Sequence, residues 1–498
     1  MKKAGYAWLE EKLNIRGFQL THESYIGTTD KKELGLTGTV IQTFKSKYDV
    51  KEDNTMSHLE FALKYDDLNL AFIKEVFASI GHKIITDYIK SNPNRKYPRI
   101  IGYLYEFTGG RSIDVIVTTT NYEDILDSSK YITGSKKKIS KWKVNDNLLG
   151  TNEFCPIIRR TTELCVLLDW NIGEAIENLK HDYSPEIFRR ASYYLYKKES
   201  KSSSEIENDN PPQDRMEKFI VILEQAGQKS FEDSLSEREL VRIQNTIVDP
   251  RYADNGFRTF QNYVGQTMRD NTQKIHYVCP PPQFVESLMN GIVNLNKKNV
   301  STNTVIKAAM VSFGFVYIHP FEDGNGRIHR FLIHDILIRD GIIPSNTILP
   351  VSAQILANIE EYDHILELFS KMVERKVQYE LNDSGELKVN NPAGIEALYR
   401  FPDLTNHTTF LTKIIQSTIS KDIPEELLFL KRYDELKSDI QNIVDMPDNK
   451  IDRMIIFLHQ NNGRLASRKR KLFHELSATE IGQMEKAYAE VFEKPNNR

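Results

Sequence analysis

The chain has 498 residues, 40% hydrophobic, 27% charged and 10% aromatic, with a formal net charge of −3. This is the make-up of a globular protein of roughly two to four domains, and near-zero charge excludes the whole chain as an electrostatic match for nucleic acid or an anionic membrane. Three scattered cysteines, Cys155, Cys165 and Cys279, form no CxxC pair, which argues against a disulfide framework or a thiolate zinc site and fits a reducing compartment.

The start, MKKAGYAWLEEKLN, lacks the apolar stretch of a signal peptide. The longest apolar run, Ala308 to Ile318, is too short to span a bilayer and predicts a core helix, so a cytoplasmic location is expected. Residues 1–195 mix short helical and strand-like patterns. Tyr97–Phe107 and Ser112–Thr120 read either as a hairpin or as a helix followed by a strand. The basic run Ser135–Lys143 contains one Trp and reads as a solvated face. Lys197–Arg215 is polar, serine-rich and ends in Pro-Pro, the composition of a linker. A domain is expected over residues 196–380, and from about Met216 to Arg375 its pattern is mostly helical. Gly227 is placed to end one helix, Ser236 to cap the next, and Pro280–Pro282 to stop a strand-like stretch that turns at RDNTQK and to open another helix. A second linker is expected over Leu381–Gly394. The remainder of 381–498 is helical, a winged-helix arrangement being one reading, and its basic stretch Gly463–Leu472 reads as a solvated loop.

One short stretch concentrates the chemistry: YIHPFEDGNGRIHRF, Tyr317 to Phe331. Glycines around Asn325 let backbone approach a ligand, and a helix starting there presents unpaired N–H groups and positive dipole potential to an anion. Arg327 and Arg330 are three apart and share a helix face, and their planar forks suit phosphate oxygens. Asp323 can hold a hard cation such as Mg²⁺ against the same phosphates. His319, at the end of the apolar helix, has the pKa range of a general base. Together the parts describe phosphate-anhydride chemistry with a hydroxyl nucleophile. Taken singly, each has a plain alternative: DGNG as a turn, the arginines as surface charges, His319 as a helix-end residue. A metal site from His319, Asp323 and His329 is disfavoured, because Pro320 spoils helical presentation, and no G-x-x-x-x-G-K-S/T phosphate loop occurs.

The stretch His319–Arg330 strongly resembles the Fic (Fido) signature, HPF-x-D/E-GNGR-x-x-R, at every defined position. The resemblance implies a mainly α fold: a helical Fic-type core with a β-hairpin flap, a mixed α/β N-terminal region and a helical C-terminal region. It implies transfer of AMP from ATP to a hydroxyl of a target protein. His319 would deprotonate that hydroxyl, and Asp323 would bind Mg²⁺. The amides of Gly324, Asn325 and Gly326 would cradle phosphates, Arg327 would position the triphosphate and Arg330 would hold the γ-phosphate. Pro320 and Phe321 would be structural, Phe321 as an anchor. Val264, Gly265 and Gln266 fall at the family's flap, where a target segment adds as a strand. The family's kinases carry lysine at the position of Gly326, which disfavours that activity. The apparent linker also changes meaning. Ser203, Glu207 and Asn208 fit the family's inhibitory pattern S/T-x-x-x-E-G/N, which implies that Glu207 pairs with Arg330 and displaces the γ-phosphate. Alternatives within the fold are another nucleotide donor or removal of AMP. A different class is a nucleotide-sensing regulator that binds DNA or protein, supported only by the basic stretch near Arg468. Self-modification and homo-oligomer formation stay open; no membrane contact is expected, and nucleic acid is disfavoured.

Overall fold

The computed structural model describes residues 1–35, 38–269, 273–299, 302–345, 347–382 and 384–492. The chain divides into two compact units, one of Met1–Trp170, Ser200–Ser345 and Val351–Ile414, the other of Asn171–Glu199, Asn346–Pro350 and Ile415–Arg498. The boundaries near 195 and 380 expected from composition therefore do not coincide with this division, in which the N-terminal region and the helical core share the first unit. Packing explains why. Phe154 packs on two glycines, its backbone and Cβ against Gly291 and its ring against Gly314, and Asn299 Nδ2 donates to Leu149 O at 2.6 Å.

In the first unit, Lys2–Ala4, His22–Gly27, Val40–Lys45 and Lys31–Leu34 make a four-stranded sheet in that spatial order. The helix Lys96–Phe107 matches the helix reading of that stretch, but Ser112–Thr120 is not a strand. Its backbone donors are taken by side chains instead: Ile113 N by Glu106, Thr118 N and Thr119 N by Asn94. The helix Thr304–Ile318 is buried nearly all round, as its unbroken apolar sequence requires of a central helix. It packs on Asn325–Arg339, which contributes Ile328, Phe331, Leu332 and Ile336 to the same core.

Both composition-based linkers prove to be structured. The helix Pro185–Ile206 continues through the serine run, where Ser200, Ser202, Ser203 and Ser204 are buried. Their hydroxyls find partners there: Ser204 Oγ donates to Ser200 O at 3.2 Å, and Ser200 Oγ to Met216 O at 3.1 Å. Tyr379–Leu381 pairs antiparallel with Leu387–Val389, and the helix Pro392–Arg400 follows at once. The caps at Ser236 and the helix opening at Pro282 are as expected.

The second unit holds the helices Ile423–Ile443, Asp448–Gln460 and Ala478–Phe492 around a core that includes Leu436, Ile440, Met454, Leu458 and Met484. Among its described residues there is no strand, so a winged helix lacks its wing. No described helix is long and apolar enough to cross a membrane.

Candidate active site

The loop between the two central helices is shaped by two left-handed residues. His319 ends the first helix at φ 52°, ψ 59°, and Gly324 opens the second at φ 87°. Gly324 could not be larger, since a Cβ there would lie 2.9 Å from Val248 Cγ1. Pro320 stops the first helix, and Phe321 is fully buried with its ring 5.7 Å from that of Phe257. Asn325 faces inward: its Oδ1 accepts from Phe321 N at 3.1 Å and its Nδ2 donates to Phe321 O at 2.9 Å. Of the three expected cradle residues, Asn325 thus offers a ligand its backbone amide alone, its side chain being used to close the loop.

His319 Nδ1 lies 3.1 Å from Val316 O. A carbonyl can only accept, so Nδ1 carries the proton and Nε2 keeps a free lone pair. Burial pushes the imidazole down to about 4, so it is a neutral base throughout the physiological range.

Arg327 and Arg330 are both engaged by the segment that ends the serine-rich helix. Arg330 is fully buried and donates from Nε to Ser203 Oγ at 2.8 Å, and from Nη2 to Ser203 O at 2.7 Å and to Glu207 Oε1 at 2.8 Å. Burial pushes the Glu207 carboxyl up, but the guanidinium of Arg330, aided by Arg327, more than reverses this and holds it below its usual value. Asn208 has φ 53°, a conformation that asparagine tolerates better than most residues. That turn brings Asp209 Oδ2 to 2.9 Å from Arg327 Nη1, which also donates to Ile247 O. Gly326 is what lets Glu207 come so close, since an added Cβ would meet Glu207 Oε1 at 1.9 Å.

Asp323 is half-exposed and accepts from Gly324 N at 2.6 Å. No group of three or more His, Cys, Asp or Glu side chains among the described residues could cage a metal, so the His319–Asp323–His329 alternative fails. A single exposed carboxylate beside a phosphate-type cradle fits a hard cation shared with phosphates, as Mg²⁺ sites often are. The flap is the hairpin Tyr263–Thr267 with Gln273–Val278, irregular between Val264 and Gly265. Val264, Gly265 and Gln266 are exposed on it, and the turn expected at RDNTQK falls partly on 270–272, outside the described residues. His319, Glu207, Gly326 and Val264 line one cavity of ≈ 660 Å³ together with Tyr362 and Leu366 of the helix Ile359–Glu374. Glu207 and His319 therefore both border open space. Sequence reasoning missed Asp209 and the wall of Tyr362 and Leu366. Only Asp209 left a signal, as a second acid two residues after Glu207.

His319, Gly326 at the start of the second central helix, and Glu207, which is paired with the buried Arg330, thus meet at one cavity. Residues 234–337 match the Fic/DOC family, so the chain carries a Fic/DOC-family domain there. Among curated relatives, a probable protein adenylyltransferase from Aquifex aeolicus is 39% identical over 13% of this chain and 20% of its own length. The protein adenylyltransferase Fic of Aedes aegypti is 34% identical over 22% of this chain and 21% of its own. Protein adenylyltransferase fic-1 of Caenorhabditis elegans is 31% identical over 24% and 22%. The chain thus spans about a fifth of the length of each of these relatives. A solved Fic family protein from Desulfovibrio desulfuricans G20 aligns at 17% identity over 59% of this chain and 83% of that one, with a TM-score of 0.39.

Proposed function

We propose that this chain is a protein adenylyltransferase that moves AMP from ATP to a hydroxyl side chain of a target protein, and that Glu207 restrains it. The observation that carries this reading is that His319, with a free Nε2 lone pair, lines the same cavity as Glu207, whose carboxylate is paired with the buried Arg330 behind it. The target hydroxyl loses its proton to His319 Nε2 as its oxygen attacks the α-phosphorus. A phosphoester bond forms, the bond to the bridging β-oxygen breaks, and pyrophosphate leaves. The amides of Gly324, Asn325 and Gly326 bind phosphate oxygens, Arg327 positions the chain of phosphates and Arg330 holds the γ-phosphate. Asp323 would hold Mg²⁺, which supplies neutralisation of charge on the phosphates.

With Glu207 on Arg330, the γ-phosphate meets a carboxylate instead of a free guanidinium, and bound ATP sits with its α-phosphate out of line. The target segment adds as a strand to the flap, whose two strands pair only with each other among the described residues. The three free cysteines suit a cytoplasmic setting. The test is label transfer from α-labelled ATP by the wild type and by Glu207→Gly. The variant is expected to transfer more, and absence of transfer by both would refute the reading.

A further inference from the structure

The five residues Ile318 to Glu322 expose a row of backbone carbonyls at the negative end of the central helix, and buried carbonyls need donors. Two residues at the foot of the flap supply them. Arg258, 4% exposed, donates from Nε to His319 O at 2.7 Å and from Nη2 to Ile318 O at 3.2 Å, and its backbone N–H donates to Pro320 O at 2.8 Å. Asn262 Nδ2 takes the next two, Phe321 O at 3.1 Å and Glu322 O at 3.5 Å. The same two residues hold the flap. Arg258 Nη1 donates to Phe260 O at 2.8 Å and Nη2 to Pro280 O at 2.7 Å, one on each side of the hairpin. Asn262 Oδ1 accepts from Tyr263 N at 2.8 Å, where the first flap strand begins, and Asn262 O accepts from Cys279 N at 3.1 Å.

No carboxylate pairs with Arg258 among the described residues, and its side-chain partners are all carbonyls. A lone buried guanidinium is costly, and a fold needing only a plug could use an apolar residue. What this guanidinium does that an apolar residue cannot is bridge two loops in a fixed fork. It also meets the helix's negative pole and holds His319 in its left-handed conformation.

We infer that Arg258 and Asn262 are positioning residues that fix the flap and the His319 loop in one frame, so that a hydroxyl on a flap-bound strand is presented to His319 Nε2. This rests on the adenylyltransferase reading above. Nucleotide binding should be spared, because the phosphates are held by the start of the next helix and its arginines. Registration of the hydroxyl against the base should suffer, and misplacement of reacting groups by about 1 Å costs on the order of a hundredfold in rate.

The test uses the full chain in the Glu207→Gly background, with incorporation of α-labelled ATP into the chain itself and into added candidate protein as the readout. Nucleotide affinity is measured separately by calorimetry. Arg258→Lys keeps the charge and loses the fork; Asn262→Ala removes the second bridge. For both, transfer at saturating ATP is expected to fall by roughly tenfold or more while the ATP dissociation constant stays within about twofold. Should Arg258→Lys not fold, Asn262→Ala decides. Transfer equal to the parent, or rate and affinity falling together, or loss of the folded state in both variants, overturns the inference. Failure of the Glu207→Gly parent to transfer at all would instead strike the functional reading.

Discussion

Asp209 and Arg327 form an ion pair at 2.9 Å, two residues beyond the pair that joins Glu207 to Arg330 at 2.8 Å. The left-handed Asn208 between the two acids lets them reach two arginines set one helical turn apart. Both arginines to which the proposed mechanism assigns the phosphates are therefore paired with acids of one segment, and Asp209 lies outside the S/T-x-x-x-E-G/N pattern. Asp209→Asn is expected to raise transfer from ATP by about threefold to tenfold, the effect of a part-exposed pair worth roughly 1 kcal/mol. Glu207→Gly with Asp209→Asn should exceed Glu207→Gly alone. Equal rates for the single and double variants would show that Asp209 restrains nothing.

His319→Ala in the Glu207→Gly background is expected to abolish transfer and to leave ATP binding measurable by calorimetry. Residual labelling would mean that another group takes the proton. The pH profile is a stricter check. Burial, with Arg258 nearby, sets the imidazole at about 4, while the charges of Glu207 and Asp323 act the other way. Without Glu207 the value should be no higher. In kcat/KM, which reports the free enzyme, transfer should be level from pH 8 to about pH 5.5 and fall only below that. A limb near 6.5, the ordinary histidine value, would contradict the geometry.

The candidate site was legible because its residues are contiguous: His319 to Arg330 hold the proposed base, cation ligand, cradle and arginines in one stretch. The serine-rich segment was legible only through its pattern. Composition makes Ser203 and Ser204 look like linker, whereas each is buried and Ser203 binds Arg330. What the chain order hides is long-range: Arg258 reaching His319 O, or Phe154 filling the gap at Gly314, which no local period encodes. The basic run Ser135–Lys143 shows the same limit. Its Trp142 is 1% exposed and donates from Nε1 to Glu106 at 2.9 Å, so it is core and cannot serve a surface ligand.

Trp142 also yields a stability prediction. It lies across the helix Lys96–Phe107 at Gly102, where an added Cβ would come within 2.3 Å of its ring. Replacing glycine by alanine inside a helix ordinarily gains about 1 kcal/mol. Here the overpacking, about 1–3 kcal/mol, should win, because a buried indole tied to Glu106 cannot withdraw. Gly102→Ala is expected to lower the unfolding midpoint in urea, without change in ATP affinity. A raised midpoint would mean that the ring moves freely.

Acid should weaken the core through its histidines. Burial pushes His329 down to about 3 and His407 to about 4, while in the unfolded chain both titrate near 6.5. Folded pKa values below unfolded ones mean that unfolding takes up protons in this window. Their contribution is complete above pH 6.5 and is lost as pH falls from there towards 4, by up to about 1.4 kcal/mol per pH unit for each histidine. His329 is the cleaner probe, since His407 Nε2 and the Tyr317 hydroxyl share a hydrogen bond at 2.6 Å, and His407 cannot be replaced without losing it. His329 lies among aromatic rings, its centroid 4.9 Å from that of Phe313, and phenylalanine there keeps the ring without the charge change. His329→Phe should therefore show a shallower fall in unfolding free energy between pH 7 and pH 5 than the wild type, measured by urea titration at each pH. Parallel curves would mean that this histidine does not have to charge when the chain unfolds in acid.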